Sequence, residues 1–296
     1  MTDVFHLGGR AVARIGYGAL QLGTTPMRED DALQVLRLAV ELGVNHIDTA
    51  EYYGPGLANE RIRAALRPYP DDLAVVSKVG YRRLADGGLV SDPAPAHVRV
   101  AIEQNLRTLG RESLAAVNLR MPDPTGTPDE AFEDQLAELV RAREAGLIEG
   151  IGLSNVSAAQ LERALELTDI VCVQNHFSLL DRSALAVLLD CERRGIAFVP
   201  YCPLGWPGAS RTATLSNDVV LAQSHRLGVT GAQLILRWLL DISPNVLLIP
   251  GTSSSGHLRD NLAVRSVELD DVATTALSTL VSPASTTSAM QQGSKR

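Results

Sequence analysis

Short apolar runs alternate along this chain with longer stretches in which apolar residues recur every three or four positions. That spacing puts the apolar residues on one face of a helix, so DDALQVLRLAVELG, PAHVRVAIEQNLRTLG, EAFEDQLAELVRAREAG and DRSALAVLLDCERRG are expected helices. Each closes on a glycine, the residue that most readily adopts the left-handed conformation at a helix end. Between the helices, residues 15–20, 44–48, 73–78, 114–120, 148–153, 170–174, 196–201 and 246–249 have the length and composition of buried strands. Ahead of them, VFHLGGRAVARIG sets Gly-Gly between two short apolar segments and reads as a β-hairpin.

Strictly alternating strands and helices favour a parallel sheet with right-handed crossovers, either open and doubly wound or closed into a barrel. Eight such units with no break in composition favour closure. The expected fold is therefore α/β, a (β/α)8 TIM barrel with an N-terminal β-hairpin, as a single domain over residues 1–281. GWPGASRTATLS, residues 205–216, is expected to be a long polar loop over the mouth, and residues 282–296 a disordered tail of small polar residues.

The chain has 296 residues, 45% of them hydrophobic, enough for a large core. A net charge of -7 without a Lys/Arg cluster argues against binding a run of nucleic-acid phosphates. No apolar run approaches the roughly 20 residues needed to span a bilayer, and the N-terminus has no apolar leader, so neither a membrane nor a nucleic-acid partner is expected and the location is read as cytoplasmic. Cys172, Cys191 and Cys202 are too few and too irregularly spaced for a disulfide framework or a thiolate metal site. No His/Asp/Glu group has metal-ligand spacing either, so no metal is expected.

On a (β/α)8 barrel, catalytic groups stand at the C-terminal ends of the strands. Asp48 closes VNHID, Tyr53 follows in DTAEYYGPG, and Lys78 closes LAVVSK. A phenol is a poor acid at neutral pH; a nearby ammonium favours its ionised form, and a carboxylate holds that ammonium charged and oriented. The trio suits protonation of an oxygen that gains negative charge. His46 shares the Asp48 face and reads as a buried, hydrogen-bonded core histidine. Tyr52 is a competing acid, less well spaced from Asp48.

Ser154 and Asn155 close the fifth strand and Gln174 the sixth, offering donors and acceptors that match a carboxamide; Tyr201, closing the seventh, offers an aromatic face. A helix cap and a core aromatic are the ordinary alternatives for these positions. After the eighth strand, GTSSSGHLRDN runs from small hydroxyl residues into a helix, where backbone N–H groups and residues 252–255 are placed to grip a phosphate. Gly251 lets the backbone come close. No GxGxxG follows an early strand, so a Rossmann cofactor site is not supported. Trp206 and Phe177 are candidate walls of a substrate pocket, with core packing an equal alternative for Phe177.

In this order along roughly residues 4–280, LGVNHIDTAEYYGPG, SKVG, GIGLSNVSAAQL, VCVQN, VPYCPLG and LIPGTSSSGHLRDNL resemble the aldo-keto reductases. With IGYGALQLG and VNLR added, the chain is similar to the bacterial pyridoxal reductase group of that superfamily. The resemblance implies an NADPH-dependent carbonyl reductase in which hydride passes to the carbonyl carbon, Tyr53 protonates the oxygen, and Asp48 and Lys78 support it. Most members carry a His at the end of the fourth strand. Aligning on the Pro-Asp of VNLRMPDP puts Arg120 there, with Asn118 one inward position deeper.

An Arg can donate a hydrogen bond to the carbonyl as a His does, and adds positive charge beside the developing oxyanion, which favours an anionic or electron-rich substrate. The alternative is that Arg120 pairs with an acid such as Asp123. By the resemblance, Ser154, Asn155, Gln174 and Tyr201 hold the nicotinamide of NADP(H), and Ala19, Leu20, Cys202, Pro203, Leu204 and Gly205 also bind the cofactor. Gly251, Thr252, Ser253, His257, Asp260 and Asn261 hold the adenosine 2′-phosphate half, with His257 where many members carry an Arg and Arg259 as a compensating charge. Tyr52 and Trp206 face the substrate. The implied partner is a small-molecule carbonyl, specifically pyridoxal reduced to pyridoxine, on a monomer or small homo-oligomer. A keto-sugar or other specialised-metabolism carbonyl, or a nicotinamide-binding regulatory subunit without turnover, stand as alternatives.

Overall fold

The N-terminal hairpin forms where Gly-Gly was read as its turn: β1 (Val4–Leu7) pairs antiparallel with β2 (Arg10–Ala13), and Gly8 takes φ +59 as a tight two-residue hairpin turn demands. The computed structural model describes residues 3–84 and 86–280; the expected tail at 282–296 lies outside them. The barrel staves follow as β3 (Tyr17–Gly18), β4 (His46–Asp48) and β5 (Ala74–Val79). A small hairpin, β6 (Tyr81–Arg83) and β7 (Leu89–Ser91), interrupts them before β8 (Leu114–Arg120), β9 (Ile148–Ser154), β10 (Cys172–Gln174) and β11 (Ala197–Phe198).

Seven staves form one parallel sheet in the order β3-β4-β5-β8-β9-β10-β11. Residues 246–249, the eighth expected strand, close the ring through single parallel bridges, Phe198 to Val246 on one side and Ile15 to Leu248 on the other. Leu247 N–H donates to Phe198 O at 2.9 Å, and Leu248 N–H to Arg14 O at 2.8 Å. Pro250, which has no N–H to donate, follows at once and keeps this stave short. The buried Arg14 guanidinium braces the approach to it, donating to the carbonyls of Leu240 and Ser243, each at 2.7 Å. The architecture is thus the expected (β/α)8 barrel.

The expected helices form over Glu29–Glu41, Pro95–Leu109, Glu130–Glu144 and Leu185–Arg194, with Gly110 and Gly195 left-handed at the ends of the second and fourth. Three local expectations are corrected. The first strand stops earlier than residue 20: after Ala19 N–H bonds Asp48 O at 2.8 Å the chain turns, and Leu20 begins a short helix, Leu20–Thr24. The segment at 205–216 is not all loop, because Ala209–Leu215 is helical, beginning directly after Gly208. The β6–β7 hairpin was not anticipated, although Asp86-Gly87-Gly88 between two short runs is a turn signal of the kind that made the first hairpin legible.

Two apolar regions hold the barrel together. One lies between the staves and the surrounding helices. The other fills the N-terminal half of the lumen, where Ala74, Val76, Cys172, Val199 and Leu247 meet Leu7 and Val12 of the hairpin. The hairpin is therefore a plug for that end, and Arg10 ties it to β9 by a two-pronged bond to Glu149 at 2.6 and 2.7 Å. Among the described residues, no helix is long and apolar enough to cross a membrane, and no group of three or more His, Cys, Asp or Glu is placed to hold a metal ion.

Candidate active site

Parallel register gathers the strand-end side chains at the C-terminal end of the lumen. Gly18 pairs with Asp48, Lys78 with Asn118, Arg120 with Ser154, and Ser154 with Gln174. Because side chains alternate across a strand, Asp48, Lys78, Asn118, Arg120, Ser154 and Gln174 all turn into the lumen above the apolar plug.

The centre of this layer is a closed polar network. Lys78 Nζ donates to Asp48 Oδ1 at 2.5 Å and to Thr49 O at 3.1 Å, and Gln174 Nε2 donates to Asp48 Oδ2 at 3.0 Å. Asp48 and Lys78 are each 3% exposed, so neither charge could be left without the other. Tyr53 lies alongside, with Lys78 Nζ 5.1 Å from its ring centroid. Burial pushes the Tyr53 phenol above its ordinary value, Asp48 adds to that, and Arg120 opposes it. The Tyr53 backbone is fixed by glycine contact: a Cβ on Gly23 would fall 2.2 Å from Tyr53 O, so the short helix at Leu20–Thr24 packs directly on this turn.

Arg120 faces Tyr53 without a counter-ion. The expected alternative partner, Asp123, is occupied by the backbone and hydroxyl of Thr125 at 2.8 and 2.7 Å. The guanidinium instead lies 5.2 Å from the Tyr81 ring and 5.6 Å from the Tyr201 ring, a cation–π sandwich, and its buried Nε has no hydrogen-bond partner. A planar fork of donors without an internal acceptor can receive an oxygen from outside. Asn118 does not join it: its Oδ1 accepts from Cys172 Sγ at 3.1 Å, one layer down, beside Gly152 where a Cβ would collide with that oxygen. It forms floor rather than a carbonyl clamp.

The carboxamide set is also redistributed. Ser154 Oγ and Gln174 Oε1 are buried with no partner, one able to donate and the other able only to accept. Asn155, at φ +59, has spent its amide: Nδ2 donates to Met121 O at 2.8 Å and Oδ1 accepts from the Tyr201 hydroxyl at 3.0 Å. It orients Tyr201 instead of facing the lumen with an open amide.

Tyr201 meets His176 and Trp206, and His176 stacks on Trp206 with ring centres 5.2 Å apart. The turn that brings Trp206 there passes through Cys202 at φ +50, Pro203, the buried Leu204 and Gly205 at φ +90. Trp206 is 38% exposed and belongs to the mouth, whereas Phe177 is fully buried against Phe198 and is core. Tyr52 packs edge-on to Tyr53 at 5.3 Å and its hydroxyl is buried without a partner; the residue is part of the lining of a side cavity of about 460 Å³ with Lys78, Gly80, Tyr81 and Arg83. His46 is core: burial, more than any other influence, pushes its imidazole down to about 4, and Nδ1 has no hydrogen-bond partner, against the expectation of a bonded ring.

Beyond the eighth stave, Ser254 caps the helix Ser255–Ala263, accepting from His257 N–H at 3.3 Å, and Thr252 Oγ1 accepts from Ser254 N–H at 3.1 Å. Gly251 and Ser253 line the approach to this helix start, and Gly251 nearly touches Gly18, where a Cβ would fall 2.5 Å from Gly18 O. Gln21 Nε2 reaches Gly251 O at 3.2 Å, so the helix that Ala19 and Leu20 begin is joined to this turn. His257, Arg259 and Asp260 are exposed around the helix start, with Asn261 half-buried. Tyr81, His176 and Thr49 are the participants that strand-end reasoning missed. Tyr81 follows the SKVG strand end directly and His176 lies two residues beyond Gln174, so extending the reading into the adjoining loops would have found both.

The sequence profile described as "Aldo/keto reductase family" matches residues 14–281. Pyridoxine 4-dehydrogenase of Escherichia coli K12 is 43% identical over 277 residues, covering 91% of this chain and 95% of that protein. Among solved structures, the thermostable aldo-keto reductase Tm1743 in complex with the inhibitor epalrestat superposes with a TM-score of 0.78 at 30% identity, covering 94% of this chain and all of that one. An aldo-keto reductase of Klebsiella pneumoniae in complex with NADPH superposes with a TM-score of 0.79 at 26% identity, covering 94% of each chain.

Proposed function

The chain belongs to the aldo/keto reductase family of oxidoreductases, and we propose that it reduces a small aldehyde with NADPH, the specific substrate being pyridoxal and the product pyridoxine. The observation that carries this reading is the pairing of a hydrogen-bonded Asp48–Lys78 ion pair, held by the Gln174 amide N–H, on one side of Tyr53 with an uncompensated Arg120 on the other. The extensive similarity to a pyridoxine 4-dehydrogenase supports the substrate, and the NADPH complex of the Klebsiella relative supports the cofactor.

The open Ser154 hydroxyl and Gln174 Oε1 are complementary to the oxygen and the N–H groups of a nicotinamide carboxamide, so the residues present fit this cofactor. Tyr201, fixed by Asn155, supplies a ring face beside them. The helix start at Ser254–Ser255 and the nearby His257 and Arg259 suit the adenosine 2′-phosphate. When bound, NADPH supplies the hydride that reduces the carbonyl carbon.

Tyr53 then gives its phenolic proton to the carbonyl oxygen, and Arg120 stabilises the charge that oxygen gathers before the proton arrives. Lys78, held charged by Asp48, offsets negative charge left on Tyr53 until a solvent proton restores the phenol. Arg120 also explains a preference among aldehydes. Pyridoxal carries a phenolic oxygen next to its aldehyde, and the two oxygens together match a planar fork of donors better than a lone carbonyl does.

The test is NADPH oxidation across pyridoxal, methylglyoxal, aromatic aldehydes and keto-sugars, with the alcohol product identified. The expected result is the highest kcat/KM for pyridoxal with pyridoxine formed. Efficient turnover of a keto-sugar with none of pyridoxal would replace the substrate; tight NADPH binding with no turnover of any carbonyl would replace the enzyme with a regulatory subunit.

A further inference from the structure

Thr49 and Ser77 are the chain neighbours of Asp48 and Lys78, and their side chains turn the opposite way, out through the barrel wall towards the helices. There they enter a chain of buried polar groups. Thr49 Oγ1 donates to Asn59 Oδ1 at 2.8 Å, and Asn59 Nδ2 donates to Asn105 Oδ1 at 3.0 Å. Ser77 Oγ donates to the same Asn105 oxygen at 2.6 Å. Asn59 stands on the helix Leu57–Leu66 and Asn105 on the helix Pro95–Leu109, where Asn105 Nδ2 is anchored to Ala101 O at 2.8 Å.

All four side chains are completely buried among apolar residues, and the Thr108 hydroxyl, which accepts from Asn59 Nδ2 at 3.0 Å, is a further polar partner. Apolar residues of similar size would pack this layer without the risk that a buried polar group carries when its partner moves. The circuit has a second connection to the chemistry. The carbonyl of Thr49 accepts from Lys78 Nζ at 3.1 Å, so the hydrogen bonds run from Lys78 to Thr49, through Asn59 and Asn105 to Ser77, and back along one residue of backbone to Lys78.

We propose that Thr49, Asn59, Asn105 and Ser77 are positioning residues that fix the relative height of the β4 and β5 strand ends, and thereby hold the Lys78 ammonium against Asp48 and beside Tyr53. Their hydrogen bonds run to one another and to the helices, on the side of the barrel wall away from the lumen. They act through the Thr49 carbonyl and through the strand ends that carry the two charges. The proposal rests on the reading of Asp48, Tyr53 and Lys78 as the proton-donating centre. If Tyr53→Phe turned over normally, that reading would fail irrespective of any result at Thr49.

Thr49→Val removes the hydroxyl at nearly constant volume, and Thr49→Ser keeps it. In Thr49→Val, kcat is expected to fall about tenfold, while KM for the aldehyde and Kd for NADPH stay within about twofold, the split expected when ground-state binding is untouched. A looser Lys78 leaves Asp48 less well countered, which raises the pKa of the Tyr53 phenol, so the pH profile of alcohol oxidation should move upward by about half a unit. Thr49→Ser should restore both quantities. Adding Ser77→Ala to Thr49→Val should lower kcat little further, because the circuit is already open. A folded Thr49→Val with unchanged kcat and pH profile, and only a lower melting temperature, would reduce the circuit to a stitch between helices and overturn the proposal. Should Thr49→Val fail to fold, Ser77→Ala answers instead: Asn105 keeps a donor from Asn59, and an unchanged kcat and pH profile in that variant overturns the proposal equally.

Discussion

The two halves of the barrel lumen are built from the same staves and obey opposite rules. At the N-terminal end, Ala74, Val76, Val199 and Leu247 close around Leu7 and Val12, a packing of apolar groups. At the C-terminal end, Tyr52, Arg120, Ser154 and Gln174 each keep a buried polar atom without an internal partner. A buried polar group left unpaired costs about 1–3 kcal/mol, so the upper half stores a cost that the lower half offsets. The difference teaches that the lower half answers to stability and the upper half to whatever brings the missing hydrogen bonds.

Substitutions break or sharpen that contrast. The largest expected effect is at Tyr53: Tyr53→Phe should lower kcat by at least about 10³-fold while NADPH affinity, followed by fluorescence titration, is retained. Leu7→Ala, in the plug, should do the reverse, destabilising the protein by about 3 kcal/mol in denaturant unfolding while activity per folded molecule holds.

His46 lies on the border between the halves, and burial keeps it near 4 in the folded protein against 6.5 ordinarily. Below the higher value the unfolded chain takes up a proton that the folded one refuses. Stability should therefore decline by about 3 kcal/mol as pH falls from 6.5 to about 4, and be independent of His46 above that window. His46→Asn should flatten this part of the unfolding curve; an equally steep curve in that variant would shift the cause to another group.

Arg120→Met should cost about 10²-fold in kcat/KM for pyridoxal and less for aldehydes without a neighbouring oxygen, measured as relative rates across the panel. Ser154→Ala should weaken NADPH about tenfold, with kcat at saturating cofactor little changed. If Ser154→Ala raised stability and left NADPH affinity alone, the open hydroxyl would be a packing defect, and the contrast between the halves would lose one of its four supports.

Much of the upper layer was legible because a strand has a period of two. Once the strand ends were placed, Asp48, Lys78, Arg120, Ser154 and Gln174 had to share a face, with Arg120, Ser154 and Gln174 in one register and Lys78 a step below them beside Asn118. What sequence does not carry is the left-handed backbone of Asn155, which turns its amide to Met121 and Tyr201. Asn118 was placed on the correct face but one layer too low to act, since a single stave holds several inward positions. Tyr81, directly after the SKVG strand end, was reachable by reading on into the loop, but its approach to Arg120 is set by tertiary packing. Asn59 and Asn105 were not singled out in the sequence, for nothing local marks a polar residue on a helix as facing a barrel wall.

The closing stave has a consequence in the order of synthesis. The ring is joined by residues 14–18 on one side and 245–251 on the other, from opposite ends of the barrel's sequence, and Gly18 and Gly251 meet backbone to backbone. Asp48, Tyr53 and Lys78 are therefore made long before the wall that completes their chamber exists. A nascent or truncated chain can hold every group of the proposed proton-donating centre and still leave it open to water; only the last stave turns that set of side chains into an enclosed room.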